Sequence, residues 1–95
     1  MSTPALPSFD AFRQRKLAEG HDEVLERVWA PDTEVPDHTH PFDADALVVA
    51  GEMWLTEAGA TRRLVAGDTF VLARGTQHAE RYGAEGATYW VARRG

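Results

Sequence analysis

Turn signals recur at short intervals through the second half of this chain: Gly51, Ala58-Gly59, Gly67-Asp68, Gly75, Gly83 and Gly86. Only short strands fit between them. The intervening segments 46–50, 53–56, 62–65, 70–73, 77–82 and 88–92 are rich in Val, Leu and aromatic residues, which suit a pleated, half-buried surface. Many short strands with this punctuation build an antiparallel sandwich or barrel. Upstream, 23–29 reads as a further strand, followed by a connection carrying Pro31 and Pro36. One helix is predicted over 9–19. Ser8 stands where its N-cap would fall, Asp10 is in its first turn, Arg13, Arg15 and Lys16 lie toward its end, and Gly20 suits the residue just past it. Phe9, Phe12 and Leu17 share one face of that helix. A single helix of this length cannot make a fold, so 1–22 is expected to be a segment packed on the outside of a barrel formed by 23–95. With 95 residues in all, there is material for one core.

The chemistry-bearing residues gather at His38-Thr39-His40 and at His78, three of only four histidines. An H-x-H pair in an extended segment puts both imidazoles on one face, because side chains alternate with period two. His78 begins a second strand-like segment after Arg74-Gly75-Thr76. Two neighbouring imidazoles and a third brought in by the fold make an open metal site, with positions left for water or substrate. The chain has no cysteine, so nitrogen and oxygen would have to supply all the ligands to a divalent transition ion. Such donors accept Fe, Zn, Ni, Mn or Cu. His21, in the Gly20-His21-Asp22 turn, reads as a surface residue. The three tryptophans, with Phe42, Phe70, Tyr82 and Tyr89, read as core and rim packing. Phe42 and Tyr82 are the better pocket candidates, since they alternate in phase with His40 and His78. Arg62, Arg63 and Arg81 are expected to face solvent.

The net charge of −5 argues against nucleic acid or an anionic membrane surface as partner, because both want a basic face. No apolar run approaches the length of a membrane span, and the start at 1–4 has no secretory signal pattern. A cytoplasmic location is the expectation.

With these residues placed, the chain resembles the small single-domain members of the cupin superfamily, RmlC-like barrels of the jelly-roll type, over roughly 23–93. The first cupin motif is a Gly, an H-x-H, a Glu and a further Gly. His38, His40 and Gly51 match it, while Asp32 stands at the leading glycine. The second motif, G-x5-P-x-G-x2-H-x3-N, is met by Gly67, Gly75 and His78, with Ala73 for the proline and Tyr82 for the asparagine. The resemblance implies an all-β antiparallel jelly-roll barrel with a metal held by His38, His40 and His78. It also implies a homodimer, since such barrels commonly pair.

The motif's glutamate ligand would fall at position 44, which is alanine. Asp43 and Asp45 flank it, but alternation turns both to the opposite face unless a bulge re-aims one. Glu80 shares a face with His78, as an interior group or as an exposed rim charge. It is expected to lie one residue pair nearer the barrel end than His78, which favours a bare three-histidine site. Two functions stay open. In one, a metal-dependent enzyme of dioxygenase, isomerase or lyase type acts on a small polar molecule, with Glu80 or Tyr82 as acid, base or substrate anchor. In the other, a non-catalytic module binds or senses a small molecule. The retained histidines favour the first, and the lost glutamate favours the second.

Overall fold

The computed structural model describes residues 5–95; the start at 1–4 lies outside the described residues. The element order is α1 (Phe9–Ala18), β1 (Glu23–Trp29), β2 (Glu34–His38), β3 (Asp43–Glu57), β4 (Ala60–Val65), β5 (Thr69–Leu72) and β6 (His78–Arg94). Every strand pairing is antiparallel, and the architecture is an antiparallel jelly roll with one short helix.

Two long strands, β3 and β6, pair along their length and form the spine. Each bends midway and takes two different partners on its outer side. β6 pairs first with β2 and then with β1, while β3 pairs first with β5 and then with β4. Two walls result, both anchored on the same two strands. The bends fall where the register slips, between Val48 and Ala50 and between Gly51 and Met53 on β3. This corrects the sequence expectation, which took Gly51, Gly83 and Gly86 as reversals between separate strands. A glycine marks a special φ but does not say whether the chain turns back or only bends through a bulge. At Gly51 (φ 77) a β-carbon would stand 2.1 Å from the Gly86 carbonyl oxygen, and at Gly86 (φ 71) one would stand 2.2 Å from that of Trp29. Backbones meet backbones at this corner, so no side chain fits.

The inner face holds one apolar cluster, including Ala44, Ala46, Val48, Met53, Leu55, Phe70, Tyr82, Tyr89 and Val91. A second cluster sits outside, where α1 closes on Val24, Leu47, Trp90 and Ala92. The helix starts as expected. The Ser8 hydroxyl accepts the Ala11 N–H at 3.0 Å, and Gly20 takes φ 101 beyond the C-cap. Phe12 is 2 % exposed, and its ring lies 5.7 Å from that of Trp90, with Phe9 edge-on at 5.4 Å. Burying a side chain of that size contributes about 2–3 kcal/mol. No helix among the described residues is long and apolar enough to cross a membrane.

Candidate metal centre

A one-residue slip in β2 decides which side chains reach the barrel interior. Val35 pairs with Glu80, yet His38 pairs with His78, so three residues of β2 span two of β6. Without this bulge Asp37 would oppose His78. Pro36 sits inside the slip, where a residue with no N–H takes nothing from the ladder. Val35 packs against the inner cluster, and the extra residue lets His38 take up the same face. His40 follows two residues later in the connection to β3.

The three imidazoles converge. Ring centroids lie 4.2 Å apart for His38–His78, 4.8 Å for His38–His40 and 5.0 Å for His40–His78. One ring nitrogen from each falls within 4.8 Å of the others. His38 Nδ1 lies 2.8 Å from the Pro36 carbonyl oxygen, and His78 Nδ1 lies 2.9 Å from that of Thr76. A carbonyl only accepts, so each Nδ1 must carry the proton and each Nε2 is left with its lone pair, the tautomer a metal ligand needs. His40 is stacked on Phe42, at 4.8 Å between centroids and 18° between planes. Burial first, then His38 and His78, hold its pKa below the ordinary 6.5. A tetrahedral ion with bonds of about 2.1 Å separates its nitrogens by about 3.4 Å, so the three nitrogens, within 4.8 Å of one another, would draw closer on binding. The donor set fits a divalent transition ion.

Among the neighbouring carboxylates, Asp45 faces away and binds Lys16 Nζ at 2.9 Å, and Asp43 accepts the Arg74 N–H at 2.7 Å. Ala44 points inward, 5 % exposed. Glu57 lies across from His78 in register, but its carboxylate pairs with Arg62 at 3.8 Å. Glu80 does not lie nearer the strand end than His78. β6 begins at His78, so Glu80 lies one residue pair deeper, and at 7 % exposure it is not a rim charge. Its Oε1 accepts the Tyr82 hydroxyl at 3.0 Å, and its Oε2 lies 3.8 Å from His38 Nε2. Tyr82 is 1 % exposed and stacked on Trp29 at 4.9 Å. Burial, with Tyr89 and the charge of Glu80 behind it, pushes the Tyr82 hydroxyl far above the usual tyrosine range, so it stays a donor. Burial and Glu80 likewise raise Tyr89.

Sequence reasoning missed two residues. Arg27 and Arg93 alternate in phase with Leu25 and Trp29 on β1 and with Tyr89 and Val91 on β6, all of which face the inner cluster. Arg93 is the cross-strand partner of Ala44. Its guanidinium lies 4.5 Å from the centroid of Phe42, the ring on which His40 stacks. That phase was the available signal, but long cationic side chains are read as solvated by default. His21 stays in its turn, with Nδ1 3.0 Å from the Lys16 carbonyl oxygen. Arg81 lies exposed on the outer face, over Trp54 at 4.0 Å.

No family model and no curated protein matches the sequence. Solved structures do match the fold. KdgF from Halomonas sp. superimposes with a TM-score of 0.64 at 22% identity, over 74% of this chain and 66% of that one. An RmlC-like cupin from Shewanella frigidimarina gives 0.66 at 21% identity, over 76% of this chain and 65% of that one. The DMSP lyase DddQ from Ruegeria pomeroyi gives 0.65 at 29% identity, over 76% of this chain and 36% of that one. The chain thus spans about two thirds of the first two proteins and about a third of the lyase. Bent spine strands, a histidine cluster inside one end of the barrel and these superpositions agree: the fold of this chain is that of a small cupin domain.

Proposed function

We propose that this domain is a metal-dependent enzyme of lyase or isomerase type, acting on a small polar molecule by removing a proton from carbon. The observation that carries the reading is a buried carboxylate, Glu80, standing 3.8 Å from one of three imidazoles whose free nitrogens face each other. His38, His40 and His78 hold the ion. When bound, a divalent ion among neutral imidazoles polarises a substrate oxygen and acidifies the adjacent C–H. Glu80 accepts that proton, and the low polarity around it strengthens its interaction with the polarised substrate. Tyr82, expected as an acid, base or substrate anchor, acts instead through Glu80. It is buried, and its hydroxyl is spent on orienting the carboxylate, which makes it a positioning residue. An oxygenase has less use for a carboxylate in this place. The likeness in fold to a protein described as a DMSP lyase supports the choice.

Purified protein reconstituted with zinc should carry about one ion per chain by elemental analysis. His38→Ala, His40→Ala and His78→Ala should each remove it, and Glu80→Gln should not. Loaded protein should then exchange solvent deuterium into one or more small keto or hydroxy acids or their neutral analogues. Glu80→Gln should slow that exchange by about 100-fold or more. Negligible metal after zinc, iron, nickel, manganese and copper would end the reading. Metal without exchange would favour a non-catalytic binding module.

We also propose a homodimer. Val28, 73 % exposed, lies on β1, an edge strand of the sheet, where a second copy can pair. Light scattering at micromolar concentration should give twice the chain mass, and Val28→Lys should lower it. A single-chain mass for the unmodified protein rejects the dimer.

A further inference from the structure

We propose that Arg27 and Arg93 form an oxyanion-binding half of the same barrel mouth, so that the molecule taken there is a small organic anion carrying a carboxylate or phosphate group. Both guanidiniums are on the inner face, and each is laid on an aromatic ring that itself stacks on a residue of the candidate centre. Arg93 lies over Phe42, which stacks on His40, while Arg27 lies 5.1 Å from the Trp29 ring, which stacks on Tyr82. An aromatic platform of this kind fixes the plane of a guanidinium and leaves its N–H edge free to fork onto an oxyanion.

Their partners within the fold are incomplete. Among the described residues no carboxylate lies within ion-pair distance of Arg27. Arg93 gives Nη1 to Glu23 at 3.2 Å, but its Nε is buried with no hydrogen-bond partner. A buried donor left unmatched is costly, and an incoming oxyanion repairs it. Position 44, directly across from Arg93, is alanine, so no protein carboxylate occupies that place. Glu80, the one buried carboxylate among the described residues, turns instead to Tyr82 and His38. Three neutral imidazoles bring no charge to offset a divalent ion. A loaded mouth with two guanidiniums is therefore cationic, although the whole chain carries −5. Local charge, not net charge, selects the ligand.

The inference rests on the reading of this mouth as a metal site, but its test does not depend on the metal. Malonate and inorganic phosphate would be titrated calorimetrically into zinc-treated and metal-free protein, with uncharged malonamide as control. Arg93→Gln and Arg27→Gln should each weaken anion binding about tenfold, leaving zinc content and malonamide unchanged. Glu23→Gln releases Arg93 from its ion pair and should tighten anion binding, an effect that a merely structural Arg93 would not give. Malonate favoured over phosphate identifies a carboxylate ligand, and the reverse identifies a phosphate ester. Should the wild type bind no zinc, the metal reading fails, and titration of metal-free protein alone decides the arginines. Equal affinity in wild type and both arginine variants overturns the proposal, as does absence of binding by either anion.

Discussion

Lys16 and Glu80 are both buried charges, and the fold treats them in opposite ways. Lys16, in the last turn of α1, is 8 % exposed, and its ammonium meets Asp45 at 2.9 Å and Glu19 at 3.2 Å. Every strong demand of that charge is met from within the chain. Glu80 is 7 % exposed inside the barrel and has one hydroxyl donor, with His38 at 3.8 Å as its nearest basic neighbour. Arg27 and Arg93 share that mouth and are incompletely paired as well. The outer charge is matched by protein partners, whereas the inner mouth leaves Glu80 and the Arg93 Nε short of them. A buried polar group left short of partners is costly unless a ligand completes it, and this contrast is what supports the proposed function at the inner mouth.

The largest effect should come from opening the finished region. Phe12→Ala removes the ring that seats α1 on Trp90 and should lower unfolding free energy by about 3–5 kcal/mol in urea titrations, with zinc content unchanged in the protein that remains folded. A loss below 1 kcal/mol would mean that the outer cluster contributes little and that the helix is an accessory. Next comes the matched charge itself. Asp45→Asn strips Lys16 of its closer partner and should cost about 1–3 kcal/mol. Glu80→Gln in metal-free protein should stay within about 1 kcal/mol of wild type, because an amide oxygen still accepts from Tyr82 and no tight ion pair is broken. If the two substitutions cost the same, the distinction between the regions fails.

A smaller effect follows from pH. The folded state holds His40 below 6.5, so the unfolded chain takes up that proton more readily. The stability contributed by the neutral ring is complete above about pH 6.5 and is lost as pH falls through the folded value. Metal-free protein should therefore melt at progressively lower temperature between about pH 7 and pH 5, and His40→Gln should flatten part of that slope. An unchanged slope in the variant would locate the pH sensitivity elsewhere.

Much of the finished region was legible in the sequence, and less of the mouth. Ser8, the Phe9–Phe12–Leu17 face and Gly20 specify α1 through local rules that depend on nothing distant. The histidine spacings foretold three imidazoles on one face. They did not foretell the slip at Pro36, without which Asp37 would have faced His78, since a bulge is a property of two strands together and not of one. The depth of Glu80 was misjudged for a related reason: it depended on where β6 begins, which is set by its pairing with β2 and β3. Arg27 and Arg93 were passed over because their alternation phase was outweighed by the usual expectation for arginine.

The smallest effect tests a position where the chain departs from the cupin motif at only a small structural cost. Asp32, at the motif's leading glycine, takes φ 57, the left-handed conformation that glycine adopts freely and aspartate tolerates better than most residues. Its backbone N–H donates to the Gly83 carbonyl at 3.0 Å, and its carboxylate makes no hydrogen bond among the described residues. The conformation, not the side chain, is what the turn between β1 and β2 needs. Asp32→Gly relieves the left-handed strain but gives the unfolded chain more freedom, and the two nearly offset. The net gain should be about 0.5 kcal/mol, read as a rise of a degree or two in melting temperature. Asp32→Ala keeps the strain, loses the residue type that bears it best, and should lose about 1 kcal/mol. Zinc content should be unchanged in both, because β2 reaches His38 through the bulge beyond this turn. Destabilisation by glycine as large as that by alanine would show that the carboxylate, and not the backbone, holds the turn.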